Sequence, residues 1–274
     1  MVYRLNSQQT LAEAIIATAQ AEVAAAITAL DALSEQEAVH EVRKHCKKMR
    51  ALLRLIRADH KALYRLENAH YRTLANRLST NRDLVSIHDA FAAIAAPTDF
   101  PRAHAFIIGH SDRLGDRAAL GPVGALLLQG AGRIPAWPLA RLRWKQSKHG
   151  LLSTYRHACT LKTAAISRKS AEALHTYRKR TKDHWYHCRL LQERYPPLAE
   201  RCAPLEALAQ ALGDWRDLHL LCTLLRAEGE AMSDELTPLL DAAGQRQATL
   251  FHQIKRLGAE LFPTGKFALL EGHK

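Results

Sequence analysis

Basic side chains recur between residues 40 and 57 at a spacing that would let them act together on one ligand. The intervals are 3, 4, 3, 4 and 3, and the residues are His40, Arg43, Lys47, Arg50, Arg54 and Arg57. On an α-helix this spacing places all of them along one side, over about 25 Å at a rise of 1.5 Å per residue. A neighbouring set with the same spacing is apolar and consists of Val39, Val42, Cys46, Met49, Leu53 and Ile56. We therefore predict a helix that buries the apolar set and presents the cations, the first basic stripe, beside it.

This row of like charges points to a ligand, because cations three or four residues apart on a helix repel one another. Glu41 is the only acidic residue between residues 40 and 57. A bound anion would supply the missing negative charge, and we favour that interpretation. A solvated surface and a contact with a protein partner are the alternatives.

Two sequence patterns of the first half return in the second half in the same order. His40-x-x-Arg43-Lys44-x-x-Lys47 recurs 135 residues later as His175-x-x-Arg178-Lys179-x-x-Lys182. Leu74-Ala75 and Arg82-Asp83-Leu84 recur 134 residues later as Leu208-Ala209 and Arg216-Asp217-Leu218. Because both patterns recur in the same order and at nearly the same offset, we predict an internal duplication of a unit of about four helices.

The second basic stripe carries fewer cations than the first. Its members are His175, Arg178, Lys182, Trp185 and Arg189, with Lys179 and Arg180 beside them. Trp185 stands at the position equivalent to Arg50, and Asp183 adds a negative charge. Gln192 stands at the position equivalent to Arg57. We therefore expect fewer ligand contacts at the far end of the second helix.

The periodicity of apolar residues predicts an all-α protein. Ser34 and Glu37 have the spacing of a capping box, and glycines and prolines concentrate in residues 97–136. The predicted helices cover residues 8–33, 35–58, 60–79, 81–95, 139–165, 169–194, 198–212, 214–229 and 233–261. We assign residues 1–100 to a first helical repeat and residues 101–136 to a Gly/Pro-rich connection of short helices and loops. Residues 137–274 form a second helical repeat plus a C-terminal helix.

Further basic residues extend the candidate site. Residues 117–171 contain ten Lys or Arg and no acidic residue, and Lys148 and Arg156 lie on the helix that enters the second repeat. Arg82-Asp83 and Arg216-Asp217 stand where the fourth helix of each repeat is predicted to begin, and an acid is favourable there. We prefer a structural role for these two pairs and keep Arg82 and Arg216 as additional candidates.

Composition limits the classes of partner and location. The chain has 274 residues, and the 47% of them that are hydrophobic argue against global disorder. The net charge of +12 indicates a polyanionic partner, either nucleic acid, an anionic membrane surface or a free phosphate polymer, and solubility alone is the alternative. The N-terminal residues lack the pattern of a secretory signal, and no window approaches the roughly 18 uninterrupted apolar residues of a membrane span. Five cysteines without CxxC spacing are typical of reduced thiols. We expect a cytoplasmic protein without a membrane partner.

The paired HxxRKxxK helices, each followed by a Leu-Ala and Arg-Asp-Leu segment, resemble the CHAD family of histidine-containing α-helical domains over residues 8–230. The resemblance implies two four-helix bundles related by a pseudo-two-fold axis, and binding of inorganic polyphosphate in a basic central channel. One side of the channel would be formed by His40, Arg43, Lys44, Lys47, Arg50 and Arg54. The other would be formed by His175, Arg178, Lys179, Lys182 and Arg189. Additional candidates are Arg57, Arg82, Lys148, Arg156 and Arg216.

Physical chemistry agrees with a phosphate polymer as the ligand. Polyphosphate carries charge on every phosphate and has no bases, so rows of Arg and Lys suffice to hold it. Binders of single-stranded nucleic acid usually stack bases on aromatic rings, but aromatic residues make up only 6% of this chain and do not interleave the first basic stripe. Nucleic acid is the alternative partner, because its phosphates would satisfy the same cations.

The sequence favours a non-catalytic binding module, without a cofactor or a metal, that would place the protein on polyphosphate granules. The GxxxxGK[ST] and GxSxG motifs are absent, and the basic stripes lack the paired carboxylates that usually hold magnesium in phosphoryl transfer. A polyphosphate-processing enzyme is the third functional class. His40 and His175 are surrounded by cations that would repel a metal ion, so we expect them to donate hydrogen bonds to phosphate. A structural role is the alternative for both histidines.

Overall fold

The computed structural model describes residues 3–78, 82–113, 121–228 and 233–263. Within these ranges the chain is all-helical, as predicted, and has no strand. The helices are α1 (Leu11–Ala32), α2 (Glu35–Leu55), α3 (Lys61–Arg77), α4 (Arg82–Ala92), α5 (Pro101–Arg113), α6 (Gly121–Arg133), α7 (Trp144–Arg168), α8 (Ala171–Leu191), α9 (Pro197–Glu228) and α10 (Ser233–Leu261). A single 3₁₀ turn, Ile134–Ala136, follows α6.

Local capping explains where the helices that carry the basic stripes begin. The predicted capping box at Ser34 is confirmed, and the backbone N–H of Ser34 donates to Oε2 of Glu37 at 3.2 Å. Helix α8 begins after Ser170, whose Oγ accepts from the backbone N–H of Ala173 at 3.2 Å. Each cap satisfies N–H groups that the first turn leaves without a helical partner.

The helices form two groups of sequential neighbours that meet at α2. Helices α1, α2 and α3 pack in order, with α6 against α1 and α3, while α7, α8, α9 and α10 pack in order in the second group. Helix α2 contacts both α7 and α8, and α4, which belongs to neither group, packs against α9 and α5. The two helices that carry the basic stripes are therefore neighbours in space.

Helices α2 and α7 approach each other closely at Gly150. A Cβ atom on Gly150 would lie 2.1 Å from the carbonyl oxygen of Leu55, which is far inside van der Waals contact. Only glycine fits at this crossing, because any side chain would force the two backbones apart. The crossing brings the C-terminal end of α2 to the first turns of α7.

The prediction of two helices over residues 198–212 and 214–229 is wrong, because α9 runs without a break through Gly213. Gly213 is a packing position: a Cβ there would lie 3.0 Å from Nη2 and 3.1 Å from Nε of Arg178. The prediction that Asp217 lies at the start of a helix is therefore also wrong. Asp217 lies inside α9 and accepts from Nη1 of Arg216 at 3.1 Å.

Other element predictions are confirmed by the structure. The C-terminal helix predicted over residues 233–261 is α10, which packs on α9. The stretch 101–136 holds short helices, α5 and α6, as expected.

Helix α1 is long and apolar enough to cross a membrane by length and composition, with a mean hydropathy of 1.3 over an 18-residue window. Its Ile15, Ala19 and Val23 are buried in the core, and the helix packs against α2. The buried Glu22 on the same helix accepts from Nδ1 of His45 at 2.6 Å and from Nζ of Lys48 at 3.1 Å. Of that 18-residue window 39% is buried, and a core helix meets the same length and hydropathy criteria.

Candidate anion-binding site

Two adjoining pockets lie where α2, α3, α7 and α8 meet. The large pocket has a volume of about 520 Å³, and its cationic and imidazole lining consists of Arg54, Arg57, Lys61, Arg65, His149, His157 and Arg180. The small pocket has a volume of about 230 Å³, and its cationic and imidazole lining consists of Lys47, Arg50, Arg54, His175, Arg178, Lys179, Arg180 and Lys182. Arg54 and Arg180 line both pockets, so the two pockets form one continuous basic surface.

None of the described residues that line the large pocket is acidic. Two consecutive turns of α3 contribute Lys61 and Arg65, and three consecutive turns of α7 contribute His149, Ser153 and His157. These residues were not predicted from the sequence. Their spacings of four residues place them on one side of each helix, which is the signal that could have identified them.

The small pocket is where the two predicted basic stripes meet. Seven of the eleven principal predicted residues line it: Lys47, Arg50 and Arg54 from α2, and His175, Arg178, Lys179 and Lys182 from α8. The lining also includes Tyr186 and one acid, Asp183. The stripes come together because α2 packs against α8 with the apolar side chains of both helices in the core.

Hydrogen bonds hold Arg50 in the small pocket and Arg54 at the boundary of the two pockets. Nε of Arg50 donates to Oδ1 of Asn68 at 3.1 Å, and Nη1 of Arg54 donates to Oδ1 of Asp183 at 2.5 Å. Burial, together with the neighbouring charge of Arg54, lowers the pKa of Arg50. These cations are therefore partly desolvated, which strengthens their attraction for an anion.

Four principal predicted residues lie outside the lining of both pockets. His40 and Lys44 are exposed, and Nζ of Lys44 lies 2.8 Å from Oε2 of Glu41. Nη1 of Arg43 donates to the backbone oxygen of Ala75 at 2.6 Å. The guanidinium of Arg189 lies over the ring of the buried Trp185, 4.9 Å from its centroid.

The additional candidate residues also divide into those that line a pocket and those that do not. Arg57 lines the large pocket, with its guanidinium 5.2 Å from the ring centroid of Tyr64. Nζ of Lys148 lies 5.4 Å from the ring centroid of Tyr195, and Arg156 is exposed outside both linings. Arg216 also lies outside both linings. The side chain of Arg82 lies outside the described part of the structure.

The arginine of each HxxRK pattern donates to a backbone carbonyl on the next helix of its group. Arg43 on α2 reaches Ala75 on α3, and Nε of Arg178 on α8 donates to Ala209 on α9 at 3.2 Å. Ala75 and Ala209 are the alanines of the recurring Leu-Ala pattern. The motif arginines thus tie neighbouring helices together, and Arg178 also lines the small pocket.

Replacing Arg43 with alanine is expected to lower the free energy of unfolding by about 1–2 kcal/mol, because the Ala75 carbonyl loses a charged donor. Urea unfolding of Arg43→Ala, compared with Lys44→Ala, measures this effect. Lys44 is exposed, so its removal is expected to change stability by less than about 0.5 kcal/mol. Equal midpoints for the two variants would contradict a structural role for Arg43.

Two fully buried histidines lie directly behind the large pocket. Oγ1 of Thr154, a lining residue, is 3.2 Å from Nδ1 of His184 and 3.3 Å from Nδ1 of His187. Nε2 of His187 donates to the backbone oxygen of Ala51 on α2 at 2.9 Å. Burial lowers the pKa of His187 to about 4 and holds the pKa of His184 well below its usual value. Both imidazoles are therefore neutral structural groups at neutral pH.

The described residues contain no cluster of three or more His, Cys, Asp or Glu side chains arranged to hold a metal ion. The site's chemistry within this part of the chain is that of guanidinium, ammonium and imidazole groups around a cavity. Such groups attract anions, and guanidinium groups match the geometry of phosphate oxygens.

Comparison with known proteins identifies the fold and the family. The chain is similar to the crystal structure of the CHAD domain from the plant Ricinus communis, with a TM-score of 0.66 and 18% sequence identity over 97% of this chain and 96% of that chain. A search of curated proteins found no match. The family model for the CHAD domain matches residues 11–226, which is most of the sequence. The chain therefore belongs to the CHAD domain family.

Proposed function

We propose that this CHAD domain binds inorganic polyphosphate in the two adjoining pockets. The observation that carries the proposal is the charge of their linings, in which Arg and Lys from α2, α3 and α8 surround the cavities and Asp183 is the only acid among the described lining residues. Clustered cations of this kind raise the local concentration of polyanions, and a bound polyanion stabilises the cluster because it reduces the repulsion between the cations.

The shape of the basic surface supports an extended phosphate chain as the ligand. From Lys47 in the small pocket to Arg54, which lines both pockets, the path along α2 is about 10 Å at 1.5 Å per residue, and Arg57 lies just beyond the end of the helix. A linear polymer can follow this path, and the successive cations can each meet a phosphate. The aromatic lining consists of Tyr64 and Tyr186, which is little stacking surface for nucleic-acid bases.

We further propose that the domain consists of two four-helix units related by a pseudo-two-fold axis, with the ligand in a channel between them. Supporting this are the sequence duplication and the equivalent hydrogen bonds from Arg43 to Ala75 and from Arg178 to Ala209. In this arrangement α2 and α8 are the equivalent helices on the two sides of the ligand.

The proposed role is binding without catalysis, in the cytoplasm and at polyphosphate granules. Asp183 alone cannot provide the pair of carboxylates with which phosphoryl-transfer sites usually hold magnesium. The five cysteines are free thiols, which supports a reducing compartment.

The first test is a titration with fluorescently labelled long-chain polyphosphate at two salt concentrations. The double variant Lys61→Ala/Arg65→Ala removes two exposed cations of the large pocket that sequence analysis had not identified. We expect about tenfold weaker binding and a shallower salt dependence than for the wild type, because fewer phosphate contacts release fewer counterions. The matched control is Arg246→Ala/Lys255→Ala on α10, where two exposed cations are lost away from both pockets, and it is expected to bind within about twofold of the wild type.

Three outcomes would count against the proposal. The first is a wild type that does not bind polyphosphate, and the second is equal weakening of the pocket variant and the α10 control. The third is displacement of labelled polyphosphate by single-stranded DNA that is added at the same concentration of negative charge, which would favour the nucleic-acid alternative. Release of phosphate in the presence of magnesium would overturn the non-catalytic role.

A further inference from the structure

One carboxylate lies among the cations of the candidate site. Oδ1 of Asp183 on α8 is 2.5 Å from Nη1 of Arg54 on α2, and Oδ2 is 2.7 Å from Nη1 of Arg180. The side chain of Asp183 is only 13% exposed. Within the part of the chain that the structure describes, it is the only acid that lines either pocket.

The two cations that Asp183 engages are the two that the pockets share. Arg54 and Arg180 line both cavities, so they mark the junction through which a continuous phosphate chain would pass. The remaining cations of the large pocket, Arg57, Lys61 and Arg65, belong to that pocket alone. A short anion can therefore bind them without reaching Asp183.

Oδ1 of Asp183 accepts a hydrogen bond from Arg54, and Oδ2 lies in ion-pair contact with Arg180 without hydrogen-bond geometry, so the carboxylate faces two guanidinium groups as a phosphate group would. The carboxylate neutralises Arg54 and Arg180 when no ligand is present and so relieves their mutual repulsion. Burial raises the pKa of Asp183, although Arg54 and Arg180 oppose that shift. The charged carboxylate is therefore poorly solvated, and a phosphate placed beside it would add repulsion at the same point.

We infer that Asp183 is an internal competitor for the anion, which occupies the junction in place of a phosphate and lowers the affinity for chains that span both pockets. This inference rests on the proposed polyphosphate-binding function. A chain that crosses the junction must share or displace the Asp183 contacts with Arg54 and Arg180. Asp183 thus limits how tightly long chains are held, while short anions in the large pocket are little affected.

The variant Asp183→Asn tests this inference, because it removes the charge and keeps the size and an oxygen acceptor. We expect it to bind long-chain polyphosphate about tenfold more tightly than the wild type, and inorganic triphosphate within about twofold. The matched control is Glu172→Gln on the same helix, which makes the same change in net charge about 16 Å away along the axis. That control is expected to leave both affinities within about twofold of the wild type.

The outcomes separate failure of this inference from failure of the proposed function. A wild type that does not bind polyphosphate would remove the function on which the inference rests. If the wild type binds polyphosphate, and Asp183→Asn binds it equally or more weakly at unchanged thermal stability, the inference is overturned. Weaker binding would mean that Asp183 instead positions Arg54. If Asp183→Asn does not fold, Asp183→Ser provides the same comparison, and the same directions of change apply.

Discussion

Replacing Gly150 with alanine is expected to lower the free energy of unfolding by about 3 kcal/mol or more, because the new Cβ would meet the Leu55 carbonyl oxygen at 2.1 Å. The atom that it meets belongs to the backbone of α2, so no side-chain rotation can relieve the clash. Helices α2 and α7 must separate, and with them the residues of both helices that line the large pocket. Guanidinium chloride unfolding and polyphosphate titration of Gly150→Ala measure the two effects.

The control for this variant is Gly244→Ala on α10. A Cβ on Gly244 would have no atom within 4 Å, so the change adds helix propensity without a clash and is expected to stabilise the protein by about 0.5–1 kcal/mol. The two variants make the same chemical change with opposite expected signs. An unfolding midpoint for Gly150→Ala at or above that of the wild type would show that the α2–α7 crossing is not as close as described.

Stability is expected to fall by about 3 kcal/mol from the titration of His187 alone as the pH is lowered from 6.5 to 4. Burial lowers the pKa of His187 from 6.5 to about 4 in the folded protein. The unfolded chain therefore binds more protons than the folded protein between these values, so protonation favours unfolding as the pH falls. The lowered pKa of the buried His184 acts in the same direction, whereas the raised pKa of Asp183 acts in the opposite one.

Chemical unfolding at a series of pH values between 7 and 4 measures this loss, with His187→Gln as the reference. The Gln amide can replace the donor to the Ala51 oxygen but does not titrate in this range. The difference in stability between wild type and variant should shrink, or change sign, as the pH falls. Parallel pH profiles for the two proteins would mean that His187 is not the titrating group.

Much of the fold could be predicted from local patterns. The spacing of apolar residues and the Ser34–Glu37 capping box predicted α2, and the structure places that helix at Glu35–Leu55. Of the residues in 3-4 spacing on α2 and α8, six line the small pocket: Lys47, Arg50, Arg54, His175, Arg178 and Lys182. These signals are local because they depend on the geometry of a single helix.

Gly213 illustrates where local patterns misled. Two helices were predicted over residues 198–212 and 214–229, with the boundary at this glycine. In the structure Gly213 lies inside α9 and makes room for the Arg178 guanidinium. The reason for that glycine is a side chain 35 residues away in sequence, which no local pattern contains.

By itself, the sequence determined an all-helical chain with two recurring cationic helices, and an excess of positive charge that favours an anionic ligand. Helix periodicity and net charge can be read in this way because they depend only on the order and type of the residues. Only the tertiary structure decided that Lys61, Arg65, His149 and His157 join the site, because α3 packs against α2 and α7 crosses α2 at Gly150. Only the tertiary structure decided that Arg43 holds a carbonyl of α3 and that Asp183 lies between Arg54 and Arg180. Charges on different helices interact through distance in space, and that distance is set by packing of the helices rather than by their spacing along the chain.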